Sequence, residues 1–121
     1  ASMEAALRLL AETPTEGRRI AVLGLMAELG PDAERYHREV GALAARVGVD
    51  MVVAVGNLAR AYLDGAGDGV TGFAVADATA AVEQVLATVQ SGDRVLVKGS
   101  RAAGLEVVPA LLAERLEDSA A

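Results

Sequence analysis

Four short apolar runs, each followed by a stretch of helical periodicity, constrain this chain more than any other feature of it. Residues 20–23, 51–55, 73–75 and 95–97 read Ile-Ala-Val-Leu, Met-Val-Val-Ala-Val, Phe-Ala-Val and Val-Leu-Val. Residues 20–23, 51–55 and 95–97 show no polar alternation, the pattern of a strand covered on both faces, and residues 73–75 read as a weak strand. Between and after them, apolar residues recur three and four apart: Tyr36, Val40, Leu43 and Val47; Leu58, Ala61 and Tyr62; Val82, Val85, Leu86 and Val89; Val108, Leu112 and Leu116. Met3, Ala6, Leu7 and Leu10 do the same ahead of the first run. Such spacing lays each set along one face of a helix. One helix followed by four rounds of strand and helix predicts an α/β fold, an open, mainly parallel sheet with helices on both faces and right-handed crossovers.

Local signals punctuate this order. Ser2, Asp32 and Asp77 stand where N-cap residues belong, Gly48 closes the second helical stretch, and Ser91-Gly92 ends the fourth. Residues 64–72 hold four glycines and read as a flexible loop. Pro109 cannot sit deep in a helix without removing a hydrogen bond, so the last helix is either kinked there or begins near Val107. With 121 residues, no internal repeat and no linker, the chain reads as a single domain, residues 1–121. Aromatics make up only 2% of it, so the core must be built from Ala, Val and Leu, whose close approach the 13 glycines permit.

Composition also excludes function classes. The absence of cysteine removes disulfides and thiolate metal sites. A net charge of −6, with 11 Lys and Arg scattered among 17 acids, argues against nucleic acid, which needs a clustered basic face. No apolar run approaches the roughly 18 residues of a membrane span.

The chemistry-bearing stretch is residues 93–101, Asp-Arg-Val-Leu-Val-Lys-Gly-Ser-Arg. It is a strand that breaks at Gly99 into a turn carrying Lys98, Ser100 and Arg101. In open α/β sheets ligands meet the protein at such strand ends. Two cations beside a hydroxyl suit a carboxylate or a phosphate, although the same residues would also make a basic surface turn. Ser100 has no nearby base to activate it as a nucleophile. Glu28 lies between two glycine bends, where a carboxylate can hold the loop or contact a substrate. His37, the only histidine, lies one residue off the apolar stripe; without a second histidine or a cysteine it reads as a surface or cap-contacting imidazole rather than a metal ligand. Neither nucleotide fingerprint, Gly-x-x-x-x-Gly-Lys-Ser/Thr or Gly-x-Gly-x-x-Gly after a strand, is present.

The segments Gly24-Leu25-Met26-Ala27-Glu28-Leu29-Gly30, His37 with Val40-Gly41, Val55-Gly56, and Leu96-Val97-Lys98-Gly99-Ser100-Arg101 together resemble the C-terminal domain of the Mur ligase family, in the branch that joins D-alanyl-D-alanine to a UDP-N-acetylmuramoyl tripeptide. The resemblance spans nearly the whole chain. It implies a Rossmann-like domain that closes over the active site of a three-domain cytoplasmic enzyme of peptidoglycan synthesis. ATP would phosphorylate the peptide's carboxylate and the dipeptide's amine would attack the acyl phosphate. ATP and Mg2+ would be bound mainly by a central domain carrying the phosphate loop, so this domain alone would be inactive and would hold no catalytic residue. The family reading gives Lys98, Ser100 and Arg101 contacts to the dipeptide carboxylate. It adds Glu28 and Asn57 as substrate-binding residues, with His37, Gly24 and Gly30 ordering the facing loop. One position departs from the pattern: Leu25 stands where the family usually has aspartate. The alternative class is a non-catalytic module that binds a small molecule, or regulates, through the same crevice.

Overall fold

The computed structural model describes residues 2–27, 29–100 and 103–120. Strands β1 (Arg19–Leu23) and β2 (Met51–Val55) form the middle of a four-stranded sheet, with β3 (Thr71–Val75) and β4 (Arg94–Lys98) at its edges in the order β3-β2-β1-β4. All three pairings are parallel. Side chains alternate across the sheet as the pleat demands. Ala21, Leu23, Val52 and Ala54 face a layer made by α1 (Ser2–Glu12), α2 (Ala33–Arg46) and α3 (Ala59–Ala66). Ile20, Val22, Met51, Val53 and Val55 face α4 (Ala78–Thr88) and α5 (Val108–Ala120). Every residue of β2 is buried. A covered Val, Leu or Ile there stabilises the fold by roughly 1.5 to 3 kcal/mol, which is why the central runs contain no polar residue.

The connections locate the crevice. Helices α2 and α3 carry the chain from β1 to β2 to β3 along one face; α4 crosses the other face and returns it to the far side of β1. The direction of winding therefore reverses between β1 and β4. Beyond the C-terminal ends of two such strands, the following helices leave on opposite faces and a gap opens.

Helices α2 and α3 pack closer than side chains would allow. A Cβ on Gly41 would stand 2.0 Å from the Tyr62 carbonyl oxygen, and one on Gly65 1.9 Å from that of Arg38. The two glycines bring the helix backbones into contact and fix how far His37 and Tyr62 reach toward the sheet.

Several local features differ from the sequence expectation. Asp32 occupies the N-cap position of α2 without a side-chain cap bond and instead pairs with Arg35 at 3.1 Å. Asp77 does cap α4, accepting from the Ala80 N–H at 2.9 Å. The glycine-rich stretch is shorter than a loop over 64–72: α3 continues through Gly65 to Ala66, and β3 already begins at Thr71. Helix α4 stops at Thr88, ahead of Ser91-Gly92. A 3-10 turn over Leu105–Val107 precedes α5, so Pro109 lies in the first turn, where its missing N–H costs nothing. Gly48 adopts φ +93° just past α2, as a C-terminal glycine should. The side chain of Ser2 lies outside what the structure describes.

Candidate functional site at the β1 and β4 strand ends

Strand pairing places Leu23 beside Lys98, and the ladder continues past both strands. The Gly24 N–H donates to the Lys98 carbonyl at 2.9 Å, and the Ser100 N–H donates to the Leu25 carbonyl at 3.0 Å. Two glycines permit this approach. A Cβ on Gly24 would meet Leu105 Cδ1 at 2.6 Å and Ala103 Cβ at 2.9 Å, and one on Gly99 would lie 3.2 Å from Gly24 Cα.

The other side of the β1 loop is held by the helix pair. The Tyr62 hydroxyl donates to the Gly24 carbonyl at 2.7 Å, and the Met26 N–H donates to His37 Nε2 at 3.1 Å. His37 Nδ1 lies 2.5 Å from the Ala33 carbonyl. A carbonyl only accepts, so Nδ1 carries the ring hydrogen and Nε2 is left bare to accept. The His37 and Tyr62 rings meet edge to face with centroids 4.8 Å apart. Both side chains are fully buried, so His37 is not the surface imidazole that its offset from the apolar stripe suggests. Burial raises the Tyr62 phenol well above its ordinary value and keeps the hydroxyl a donor.

Beside the paired loops lies an open groove of about 240 Å³ with Val97, Leu105 and Pro109 on its apolar walls and Lys98, Ser100 and Glu106 as its polar groups. The Ser100 hydroxyl oxygen is buried and has no hydrogen-bond partner among the described residues. Lys98 is half-buried and forms no ion pair among them. A half-buried ammonium next to a buried hydroxyl can take up a small anion. A larger opening of about 460 Å³, edged by Arg60, Asp64 and Asp68, lies by the start of β3, at the opposite edge of the sheet.

Of the residues expected to form a site, the fold thus joins Gly24, Lys98 and Ser100 and ties His37 to the same loop. Asn57 is exposed beyond β2 on the same edge, and its side chain makes no hydrogen bond among the described residues. Gly30 is exposed at φ +58° and opens a 3-10 turn, Gly30–Asp32, ahead of α2. Glu28 and Arg101 lie outside the described residues. Leu25 is half-buried. Tyr62 is the residue that sequence reasoning missed, having been counted only as part of an apolar face. A tyrosine on a buried stripe calls for a partner for its hydroxyl, and that was the available signal. Among the described residues no three His, Cys, Asp or Glu side chains could hold a metal ion. The phosphate loop that would cradle ATP is likewise missing from the sequence.

Comparison with known proteins agrees with this architecture. The family described as Mur ligase, glutamate ligase domain, matches residues 1–101. The UDP-N-acetylmuramoyl-tripeptide–D-alanyl-D-alanine ligase of Escherichia coli is 41% identical over 115 residues, covering 93% of this chain and 24% of the relative. The ligase of the same name from Synechocystis is 42% identical, over 93% of this chain and 25% of its own length. Among solved structures, MurF from Acinetobacter baumannii superimposes with a TM-score of 0.82 at 30% identity, covering 93% of this chain and 25% of that one. MurF ligase from Thermotoga maritima in complex with ADP gives 0.78 at 25% identity, covering 98% and 26%. The chain therefore spans about a quarter of the length of these relatives. No helix among the described residues is long and apolar enough to cross a membrane. With the family match running through residues 1–101 and the fold shared along most of its length, the chain belongs to the Mur ligase family and carries its glutamate ligase domain.

Proposed function

We propose that this domain serves a cytoplasmic, ATP-dependent ligase of three domains that joins D-alanyl-D-alanine to a UDP-N-acetylmuramoyl tripeptide in peptidoglycan synthesis. Its part is to hold the incoming dipeptide. The observation that carries this reading is the groove at the switch point, where Lys98 and the buried, unpartnered Ser100 hydroxyl stand together against the apolar walls of Val97, Leu105 and Pro109. A dipeptide of alanine offers one carboxylate and two methyl groups. The Lys98 ammonium balances the carboxylate's charge, the Ser100 hydroxyl donates to it, and the walls shed water from the methyls. Arg101, next in sequence, adds a planar fork suited to a carboxylate. ATP, bound elsewhere in the full-length enzyme with Mg2+, supplies the activating phosphoryl group. The residues of this domain bind and orient the amine's carrier.

The test uses the full-length protein that carries this chain. Removing a charge-assisted contact costs about 1.5 to 3 kcal/mol, or roughly ten- to a hundredfold in affinity. Lys98→Ala and Arg101→Ala should each raise the Michaelis constant for D-alanyl-D-alanine on that scale and leave the constant for ATP unchanged. Arg101→Lys should recover only part of the loss, since the fork is not restored. A rise for ATP with the dipeptide constant untouched would show that the turn faces the nucleotide.

A further inference from the structure

Three consecutive residues of the β1 loop are pinned from two sides. Toward β4, the Gly24 N–H and the Leu25 carbonyl bond to Lys98 and Ser100. Toward the helices, the Gly24 carbonyl and the Met26 N–H bond to Tyr62 and His37. The β1 loop is thus a bracket between the helix pair and the Ser100 turn. Tyr62 comes from α3 and His37 from α2, and the glycine contacts at Gly41 and Gly65 hold those helices at one separation.

We propose that Tyr62 is a positioning residue for the ligand groove: through its hydroxyl bond to Gly24 it sets the β1 loop, and through the loop it sets the Ser100 turn that it never touches. The proposal rests on the reading of that groove as the dipeptide site. The buried Gly24 carbonyl has two lone pairs, and Tyr62 supplies the side-chain donor that faces it. His37 is the second anchor two residues along and cannot replace the first, because its bare Nε2 is an acceptor. Loss of the hydroxyl leaves the loop with one helix-side anchor and frees it to shift relative to β4. The Ser100 N–H then loses its fixed acceptor at Leu25, and Ser100, which lines the groove, shifts with the turn.

The test combines two measurements on the full-length protein. Tyr62→Phe removes a single oxygen and keeps the ring on His37, so the core remains filled. Hydrogen exchange of the Ser100 amide should quicken at least about fivefold, while amides in β2 keep their protection. The Michaelis constant for D-alanyl-D-alanine should rise about two- to tenfold, the range of one neutral hydrogen bond, with that for ATP unchanged. His37→Gln, which retains an acceptor for Met26, should disturb Ser100 exchange less than His37→Leu. Unchanged exchange at Ser100 in Tyr62→Phe overturns the proposal, as does exchange that quickens equally across β2. Lys98→Ala separates the two levels. If it leaves the dipeptide constant unchanged while Tyr62→Phe still loosens Ser100, the positioning holds and the ligand assignment fails. If Lys98→Ala raises that constant and Tyr62→Phe alters neither readout, the positioning fails and the ligand assignment stands.

Discussion

Asp93 shows how much one side chain can organise. Its carboxylate accepts from the Arg18 N–H at 2.8 Å, the Arg18 guanidinium at 2.9 Å and the Gln90 N–H at 2.8 Å. The same guanidinium donates to the Thr88 carbonyl at the end of α4. One carboxylate thereby buckles the turn before β4 to the start of β1. Burial opposes its charge, but the hydrogen bonds from Arg18 and Gln90 outweigh that and hold it below the ordinary value of 3.8. With its folded value depressed, the unfolded chain binds the proton more readily. The stabilisation is therefore present above about pH 3.9 and is lost as pH falls through the folded value. Asp93→Asn should lower stability at neutral pH by about 1.5 to 3 kcal/mol. It should also flatten the acid limb of a melting-temperature profile; a variant whose profile parallels the wild type down to about pH 2 would refute this. At the alkaline end the sign reverses. Burial and the 2.6 Å bond to Glu4 push Tyr36 up to about 12, and burial raises Tyr62 as well. Neither phenol should ionise near the usual pH of about 10, and stability should fall as pH rises beyond it, which ultraviolet titration and melting can follow together.

At the scale of elements, the crossing of α2 and α3 governs whether the bracket exists at all. Alanine is ordinarily favoured over glycine inside a helix by about 1 kcal/mol. At Gly41 and Gly65 the added methyl would collide with a carbonyl oxygen, so the helices would have to separate. Gly41→Ala and Gly65→Ala should each be net destabilising by about 1 to 3 kcal/mol, read from denaturant midpoints; a stabilised variant would show the contact to be looser than described. The same crossing explains what the sequence concealed. Glycine at position 65 reads as part of a flexible loop over residues 64–72, and only the neighbouring helix shows that it is there for close contact. Thr71 and Gly72 open β3 unseen because that strand lies at the sheet edge and is largely exposed, so its apolar run covers only Phe73, Ala74 and Val75. The central strands were legible because burial on both faces leaves an uninterrupted apolar signature. The basic turn at Lys98 and Ser100 was legible because Gly99 marks where β4 ends. Tyr62 was not, since its partner is a backbone carbonyl 38 residues away, beyond the reach of any local pattern; the loop-ordering role of His37, whose Met26 partner lies 11 residues away, came only from the family resemblance.

Across the whole molecule, the sheet divides the core into two parts that share no helix. One gathers α1, α2 and α3 with Ala21, Leu23, Val52 and Ala54; the other gathers α4 and α5 with Ile20, Val22, Met51 and Val53. The two are coupled through β1 and β2, whose alternate residues belong to one core or the other. Loss of either core would expose one side of both strands, so the cores should melt together. The chain offers an internal probe of this. It contains no tryptophan, and both tyrosines, Tyr36 and Tyr62, lie on the first side. Near-ultraviolet circular dichroism therefore reports chiefly on the first core, whereas the far-ultraviolet signal sums the helices of both. We expect the 121-residue chain to unfold in one transition with coincident midpoints for the two signals. Lacking a phosphate-binding loop, it should release no phosphate from ATP. Two midpoints separated beyond experimental error would mean that the sheet does not transmit loss of one core to the other. Sustained phosphate release by clean protein would place nucleotide chemistry on a domain without a phosphate-binding loop.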